Sequence, residues 1–210
     1  MNDRADSPRY PICEMFASIQ GEGSHTGRPT LFVRAWGCPL SCIWCDEPLH
    51  RDPVARRLFS IDEILAELER LAPGLKHVVL TGGEPLALPD LSTLVRRLKE
   101  ADFRVAMESS GLGGPLPNPM VDWLTLSPKT LLPDTLLAQA NEIKFILGPS
   151  GAGAEAILEL ANRFPNIWVQ PRANGLKPDF QAIARCYQLV LASQGRLRLS
   201  LQTHKFIGVR

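Results

Sequence analysis

The chain has 210 residues, 45% of them hydrophobic, and its 23 Lys and Arg nearly balance 22 Asp and Glu, leaving a formal net charge of +1. This length and apolar content predict a single domain, residues 1–210, with a substantial core. The balanced charge, with no basic block or tail, argues against a protein that binds nucleic acid or an acidic membrane surface through its net charge.

Targeting signals are lacking as well. No apolar run approaches the ~20 residues that cross a bilayer, and the N-terminal segment has no apolar stretch of the secretory type. Five cysteines, three of them between positions 38 and 45, do not suit a disulfide framework, which spreads an even number along the chain. We therefore expect a cytoplasmic protein that meets no membrane and carries a metal site.

Apolar strand patterns alternate with helical ones along the chain, and the capping box from Ser60 to Glu63 marks the start of the first helix. In chain order we predict strand 30–36, helix 61–71, strand 77–80, helix 91–101, strands 103–107, 123–126 and 142–147, helix 152–163, strand 167–169, helix 180–193 and strand 197–201. This alternation favours a parallel α/β sheet, open or curled into a partial barrel. Polar clusters recur at the carboxyl ends of the strands, where such folds bind ligands.

Cys38, Cys42 and Cys45 are separated by three and two residues, so one compact loop can gather three thiolates around one centre. Thiolates suit both zinc and iron–sulfur clusters. A closed zinc site needs a fourth ligand, for which His50 or the distant Cys13 or Cys186 would be candidates. The spacing alone leaves both kinds of site open.

Two motifs together resemble the radical S-adenosylmethionine (SAM) superfamily. The first is the cysteine loop with Trp44 before its last cysteine, and the second is TGGEP at 81–85, at the end of a predicted strand. The resemblance implies that the three cysteines hold three irons of a 4Fe–4S cluster and that SAM chelates the fourth. It also implies that the Gly-Gly-Glu-Pro turn meets the SAM ammonium group, which glycines without Cβ atoms allow to approach the backbone.

Most of the chain is similar to one branch of that superfamily, the 7-carboxy-7-deazaguanine synthases of queuosine biosynthesis. The similar stretches are EMF at 14–16, IQGEG at 19–23, FVR at 32–34, residues 37–46, TGGEP at 81–85, ESSG at 108–111, LSPK at 126–129, NEIK at 141–144 and QTHKF at 202–206. The resemblance implies a shortened partial (βα) barrel. It also implies conversion of 6-carboxy-5,6,7,8-tetrahydropterin to 7-carboxy-7-deazaguanine with loss of ammonia, after hydrogen abstraction by a 5′-deoxyadenosyl radical.

The same resemblance assigns roles to individual residues. SAM would contact Trp44, Cys45, Asp46, Gly83, Ser109, Ser127, Pro128 and Lys129. The pterin pocket would be lined by Ile19, Gln20, Gly21, Arg34, Thr81, His204 and the terminal carboxylate on Arg210, while Glu108 would touch the substrate or neutralise a nearby charge. No side chain is assigned as catalytic, because the radical arises at the cluster and SAM.

Glu47 departs from the family pattern, in which a threonine commonly follows Cys-Asp and binds Mg²⁺ through its hydroxyl. A carboxylate is a good ligand for a hard cation, so we hypothesise that Glu47 is the metal ligand. It could instead repel the substrate carboxylate when no metal is bound, or the enzyme could work without Mg²⁺.

The resemblance further implies a homodimer and a protein electron donor such as flavodoxin or ferredoxin. Two other functions compete with this interpretation. One is a radical SAM activase that acts on a partner protein, and the other is a non-catalytic module that binds zinc or a cluster. We interpret Cys13 and Cys186 as small buried residues, and His25, His50 and His77 as residues without a functional role.

Overall fold

The structure is a computed structural model that describes residues 8–148, 153–173 and 179–210. Its strands are Tyr10–Ile19 (β1), Pro29–Ala35 (β2), Arg57–Phe59 (β3), His77–Gly82 (β4), Arg104–Ser109 (β5), Trp123–Leu126 (β6), Glu142–Leu147 (β7), Ile167–Pro171 (β8) and Leu197–Leu199 (β9). Its α-helices are Ile61–Leu71 (α1), Leu91–Glu100 (α2), Asp134–Leu137 (α3), Ala154–Leu160 (α4), Phe180–Ala192 (α5) and Thr203–Ile207 (α6).

These elements belong to two compact units. The first unit contains Pro29–Trp123 and the N-terminal segment up to Ser18, and the second contains Ile19–Arg28 and the chain from Leu124 onward. None of the helices in the described ranges combines the length and hydropathy needed to span a bilayer.

In the first unit the strand order is β3-β1-β2-β4-β5. β2, β4 and β5 pair in parallel, while the short β3 runs antiparallel to β1. Both helices of this unit follow the predicted pattern: α1 begins with the complete capping box of Ser60 and Glu63, and α2 buries Leu91, Leu94, Val95 and Leu98 on one face. Each such leucine contributes roughly 1.5–3 kcal/mol through burial, which fixes the helices on the sheet.

In the second unit the strands run in the order β6-β7-β8-β9, and each neighbouring pair is parallel. Helix α5 packs against β8 and β9 and buries Ala182, Cys186 and Leu189. The side chain of Asp179 caps α5 by accepting hydrogen bonds from the backbone N–H groups of Gln181 and Ala182.

The sequence analysis predicts neither β1 nor β3. β1 contains Pro11 and Glu14, which are rare in strands, and β3 has only three residues. Both strands form because they pair with each other: Pro11 of β1 lies opposite Leu58 of β3 in the antiparallel ladder.

Differences also occur toward the C-terminus. The predicted strand 197–201 ends at Leu199, and the short helices α3 and α6 are not predicted. His204 was expected at a strand end but lies in α6, because the Thr203 N–H and hydroxyl both donate to the Gly21 carbonyl and turn the chain there. The predicted helix 152–163 runs from Ala154 to Leu160, and its first predicted residue lies outside the described ranges.

Candidate active site

The cysteine loop follows the carboxyl end of β2. Cys38, Cys42 and Cys45 are free thiols, the first two partly exposed and the third exposed. The loop is held by hydrogen bonds from Leu40 N to Cys38 Sγ (3.4 Å) and from Cys45 N to the Cys42 carbonyl (3.2 Å). Three thiols in one short loop are the donor set that an iron–sulfur cluster uses, so their chemistry fits that group. In the described part of the chain, no three His, Cys, Asp or Glu side chains are arranged to hold a single metal ion.

The Cys38 thiol holds its proton more tightly than a free thiol does. Burial raises the pKa of Cys38, and Glu84, Cys42 and Cys45 add to the rise, although the N–H of Leu40 opposes it. A thiol of raised pKa is protonated at neutral pH, and bound iron would supply the positive charge that stabilises the thiolate.

The turn after β4 lies directly on the start of the cysteine loop. Gly83 N donates to the Ala35 carbonyl (2.9 Å) and Glu84 N to the Gly37 carbonyl (2.9 Å). A Cβ atom on Gly83 would lie 1.9 Å from the Gly37 oxygen, so a larger residue would separate the two backbones. The contact explains why the second glycine of TGGEP is needed here.

Glu84 is a buried anchor beneath this turn, with 1% of its surface exposed. Its carboxylate accepts hydrogen bonds from the hydroxyls of Ser109 (2.6 Å) and Ser110 (2.5 Å) and from the backbone N–H groups of Ser110 (2.8 Å) and Leu86 (3.1 Å). Both oxygens are therefore engaged, and they tie the end of β5 to the turn after β4. Sequence reasoning placed Glu84 near the SAM ammonium group but did not identify this structural role.

Arg34 lies at the end of β2 between two carboxylates. Its Nε is 2.7 Å from Glu14 Oε1 and its Nη1 is 2.9 Å from Glu47 Oε2. The β2–β4 register places Arg34 opposite Thr81, and the Thr81 hydroxyl donates to Glu108 Oε2 (3.3 Å). The structure therefore brings together three residues predicted to line the substrate pocket, Arg34, Thr81 and Glu108.

In the second unit, the loop after Ile19 is fixed against the C-terminal QTH segment. Thr203 N donates to the Gly21 carbonyl (3.0 Å), and a Cβ atom on Gly21 would lie 2.0 Å from His204 Nδ1. Gln20 is buried, and its side-chain oxygen accepts a hydrogen bond from Glu22 N (3.1 Å). The structure thus groups Gln20, Gly21 and His204, all three predicted to line the substrate pocket.

A buried ion pair lies beneath that loop. The Lys144 ammonium donates to Glu22 Oε2, and Gln202 Nε2 donates to Glu22 Oε1 (2.8 Å). Next to it, the buried Glu142 accepts from Ser24 N (2.9 Å) and from the Thr125 hydroxyl (2.8 Å). The NEIK stretch resembles the family without suggesting a role, and these contacts show that it anchors the loop.

The remaining predicted site residues lie at strand ends, in loops and beyond α6. Ser127, Pro128 and Lys129 follow β6 in the second unit, where Lys129 Nζ donates to Ser127 Oγ (2.7 Å). In the cysteine loop Trp44 is partly buried and Asp46 exposed. Ile19 is 36% exposed, and Arg210 is exposed beyond α6.

In the sequence, His50 is a candidate fourth ligand of a zinc site, but it is finally interpreted as a residue without a functional role. It is buried, its Nε2 lies 3.9 Å from Cys45 Sγ, and within the described part of the chain its Nδ1 has no hydrogen-bond partner. Burial, then Arg51 and Arg34, lower the pKa of His50, which favours the neutral ring. In the sequence, its position five residues after Cys45 is what indicates that it lies close to the cysteine loop. Of the two cysteines interpreted as buried, Cys186 is buried and Cys13 only partly so.

Known proteins resemble this chain in sequence and in fold. The profile of the Radical SAM superfamily matches residues 35–167. The 7-carboxy-7-deazaguanine synthase of Escherichia coli K12 is 34% identical over 228 residues, covering 96% of this chain and 99% of that protein. The enzyme of the same name from Haemophilus influenzae is 31% identical over 208 residues, covering 96% and 95%. The crystal structure of QueE from Escherichia coli superposes with a TM-score of 0.73 at 32% identity, covering 92% of this chain and 93% of that one.

Proposed function

This chain belongs to the 7-carboxy-7-deazaguanine synthase family of the radical SAM superfamily, and from this membership we propose how its residues share the work of that reaction. It is a radical SAM lyase that converts 6-carboxy-5,6,7,8-tetrahydropterin to 7-carboxy-7-deazaguanine with loss of ammonia. The family fold, a shortened α/β partial barrel, agrees with the prediction. The activase and the non-catalytic zinc module are set aside by this membership.

The cofactors follow from the superfamily, which uses a 4Fe–4S cluster and SAM and needs a reductant. When bound, the cluster and SAM would supply the radical chemistry that abstracts a hydrogen atom from carbon 6 of the substrate. Cys38, Cys42 and Cys45 would hold three irons. The protein then has to orient the reactants and exclude water, because the radical chemistry belongs to the cofactors.

The SAM site is assigned to the residues that match the family's motifs. Gly83 offers its backbone to the ammonium group, and Ser109 is fixed by Glu84. Lys129 supplies a cation for the SAM carboxylate, and Trp44 an apolar face for the adenine. Cys45, Asp46, Ser127 and Pro128 complete this proposed set.

The substrate contacts are likewise assigned from the family's motifs. Arg34 can pair with the substrate carboxylate in a two-pronged hydrogen bond. Gln20 offers an amide that matches the donor and acceptor edge of a pterin. Thr81 and Glu108 lie beside Arg34, and Ile19, Gly21, His204 and the terminal carboxylate of Arg210 are the other proposed contacts.

Glu47 is the proposed Mg²⁺ ligand, because its carboxylate provides the hard oxygen that this cation prefers. Mg²⁺ is usually held by one or two carboxylates together with water and substrate oxygens, so a preformed cage is not required. Turnover that survives both Mg²⁺ chelation and Glu47→Ala would contradict the assignment.

We further propose a cytoplasmic homodimer of single-domain subunits that receives electrons from flavodoxin or ferredoxin. Family membership supports each of these points. Light scattering on the purified protein would measure its mass, and a monomer at micromolar concentration would exclude the dimer. Reduction by either purified donor, followed by the EPR signal of the cluster, would test the partner.

The observation that carries the function is the contact of the TGGEP turn with the three-cysteine loop. The test is to incubate anaerobically reconstituted, reduced protein with SAM and the carboxytetrahydropterin. We expect 7-carboxy-7-deazaguanine to form with about four irons per chain. Cys42→Ala should lose cluster and product, whereas the matched control Cys13→Ala should keep both. Cleavage of SAM without the deazaguanine would reject the substrate, and stoichiometric zinc in place of iron would reject the chemistry.

A further inference from the structure

Arg34 is shared by two carboxylates before any substrate arrives. Glu14 accepts its Nε–H and Glu47 its Nη1–H, at 2.7 and 2.9 Å. All three side chains are largely buried, with 19% of Arg34, 14% of Glu14 and 19% of Glu47 exposed. Ion pairs in such surroundings are screened much less than surface pairs, so this arrangement strongly affects which anions Arg34 can bind.

One guanidinium is shared by two carboxylates, so an incoming substrate carboxylate would be the third anion at the same cation. The second oxygen of Glu47 is held by Leu49 N at 3.0 Å, so its own loop keeps the carboxylate against Arg34. An incoming carboxylate would therefore meet like charge and an Arg34 whose N–H groups are partly taken.

We propose that Glu47 withholds Arg34 from the substrate carboxylate until a divalent cation draws Glu47 away, so that this one residue couples metal binding to substrate binding. The inference rests on the proposed function, in which Arg34 binds the substrate and Glu47 the cation. A neutral hydroxyl at this position could ligate the cation but could not compete for Arg34. Glu47 thus makes carboxylate recognition depend on the metal more strongly than a threonine would.

The coupling is measurable as binding, without turnover. The probe is 6-carboxypterin, the oxidised form of the substrate, titrated into reconstituted protein with SAM bound and no reductant, in Mg²⁺ or in EDTA. Wild-type protein should bind at least about tenfold more tightly in Mg²⁺, which corresponds to 1.4 kcal/mol. Glu47→Gln keeps the size of the side chain and removes its charge. It should bind in EDTA about as tightly as wild type does in Mg²⁺, and the cation should no longer matter.

Two controls separate competition from general effects of charge. Glu14→Gln removes the other carboxylate at Arg34, so it should tighten binding in both solutions and leave the Mg²⁺ ratio as in wild type. Unsubstituted pterin has no carboxylate, and its affinity should change neither with Mg²⁺ nor with Glu47→Gln. SAM affinity verifies that each variant is folded.

Three results would overturn the inference. The first is equal wild-type binding in Mg²⁺ and EDTA. The second is a Mg²⁺ ratio that Glu47→Gln leaves unchanged. The third is a Glu47→Gln protein that binds as weakly as wild type in EDTA whatever the cation, since Glu47 would then only ligate the metal. If wild type binds 6-carboxypterin in neither solution, the substrate assignment falls, and this inference with it.

Discussion

Lys144 places a positive charge where almost no water reaches, because only 3% of the residue is exposed. Its ammonium group donates to Glu22, which also accepts from Gln202. Through Glu22 the pair fixes the loop that carries Gln20 and Gly21. The pair therefore holds the loop after Ile19 in place and stabilises the fold.

Lys144→Met should destabilise the protein by about 3–5 kcal/mol, because it leaves the Glu22 carboxylate buried without its cation. Denaturant titration of the free energy of unfolding measures this loss. Combining the change with Glu22→Gln should recover part of it, since the uncompensated charge disappears.

Arg96→Met is the matched control, because Arg96 pairs with Glu100 on the surface, where both side chains are about half exposed. Its cost should stay within about 0.5 kcal/mol. Equal losses in Arg96→Met and Lys144→Met would refute the buried-pair argument.

Asp122 joins two elements of the first unit, because it bonds to both the strand β5 and the helix α2. Its N–H donates to the Val105 carbonyl (2.7 Å), and its carboxylate accepts from Val105 N (2.8 Å) and pairs with Lys99 of α2 (2.8 Å). Burial acts to raise the pKa of Asp122, but the hydrogen bonds from Lys99 and Val105, with the charges of Lys99 and Arg104, hold it below its ordinary value of 3.8.

The lowered pKa of Asp122 determines how the stability of the protein should depend on pH. A carboxyl whose pKa is lowered in the folded state adds stability above its unfolded value, and loses it as the pH falls through the folded value. Wild type should therefore be more stable than Asp122→Asn at pH 7, and the difference should shrink below pH 3.8. Urea titrations from pH 7 down to pH 3 measure it. A difference that does not change with pH would show that the ionisation of Asp122 does not contribute to stability.

For the whole molecule, ligand binding and stability are linked, because SAM binds the folded chain and its site needs the cluster. SAM at 100 times its Kd should raise the free energy of unfolding by about 2.7 kcal/mol. Anaerobic denaturant titration of reconstituted protein tests this. Cys42→Ala should gain much less at the same SAM concentration. An equal gain in both proteins would mean that SAM binds without the open iron.

The sequence by itself determined whatever depends on residues close together along the chain. The cysteine loop needs only the spacing of Cys38, Cys42 and Cys45, and the start of α1 needs only Ser60 and Glu63. The helices α1, α2 and α5 follow from apolar periodicity, and β4, β6 and β7 from short apolar runs. Such signals survive in the sequence because their physical cause lies within a few residues.

Only the tertiary structure decided which distant groups meet. Glu84 bonds to Ser109 25 residues away, Arg34 to Glu14 20 residues away and Lys144 to Glu22 122 residues away. Strand register and loop placement set these partners, and neither has a local signature. Glu47 shows the difference most clearly. The residue type at position 47 indicates a departure from the family pattern. Only the contact of Glu47 with Arg34 in the structure indicates what that departure does.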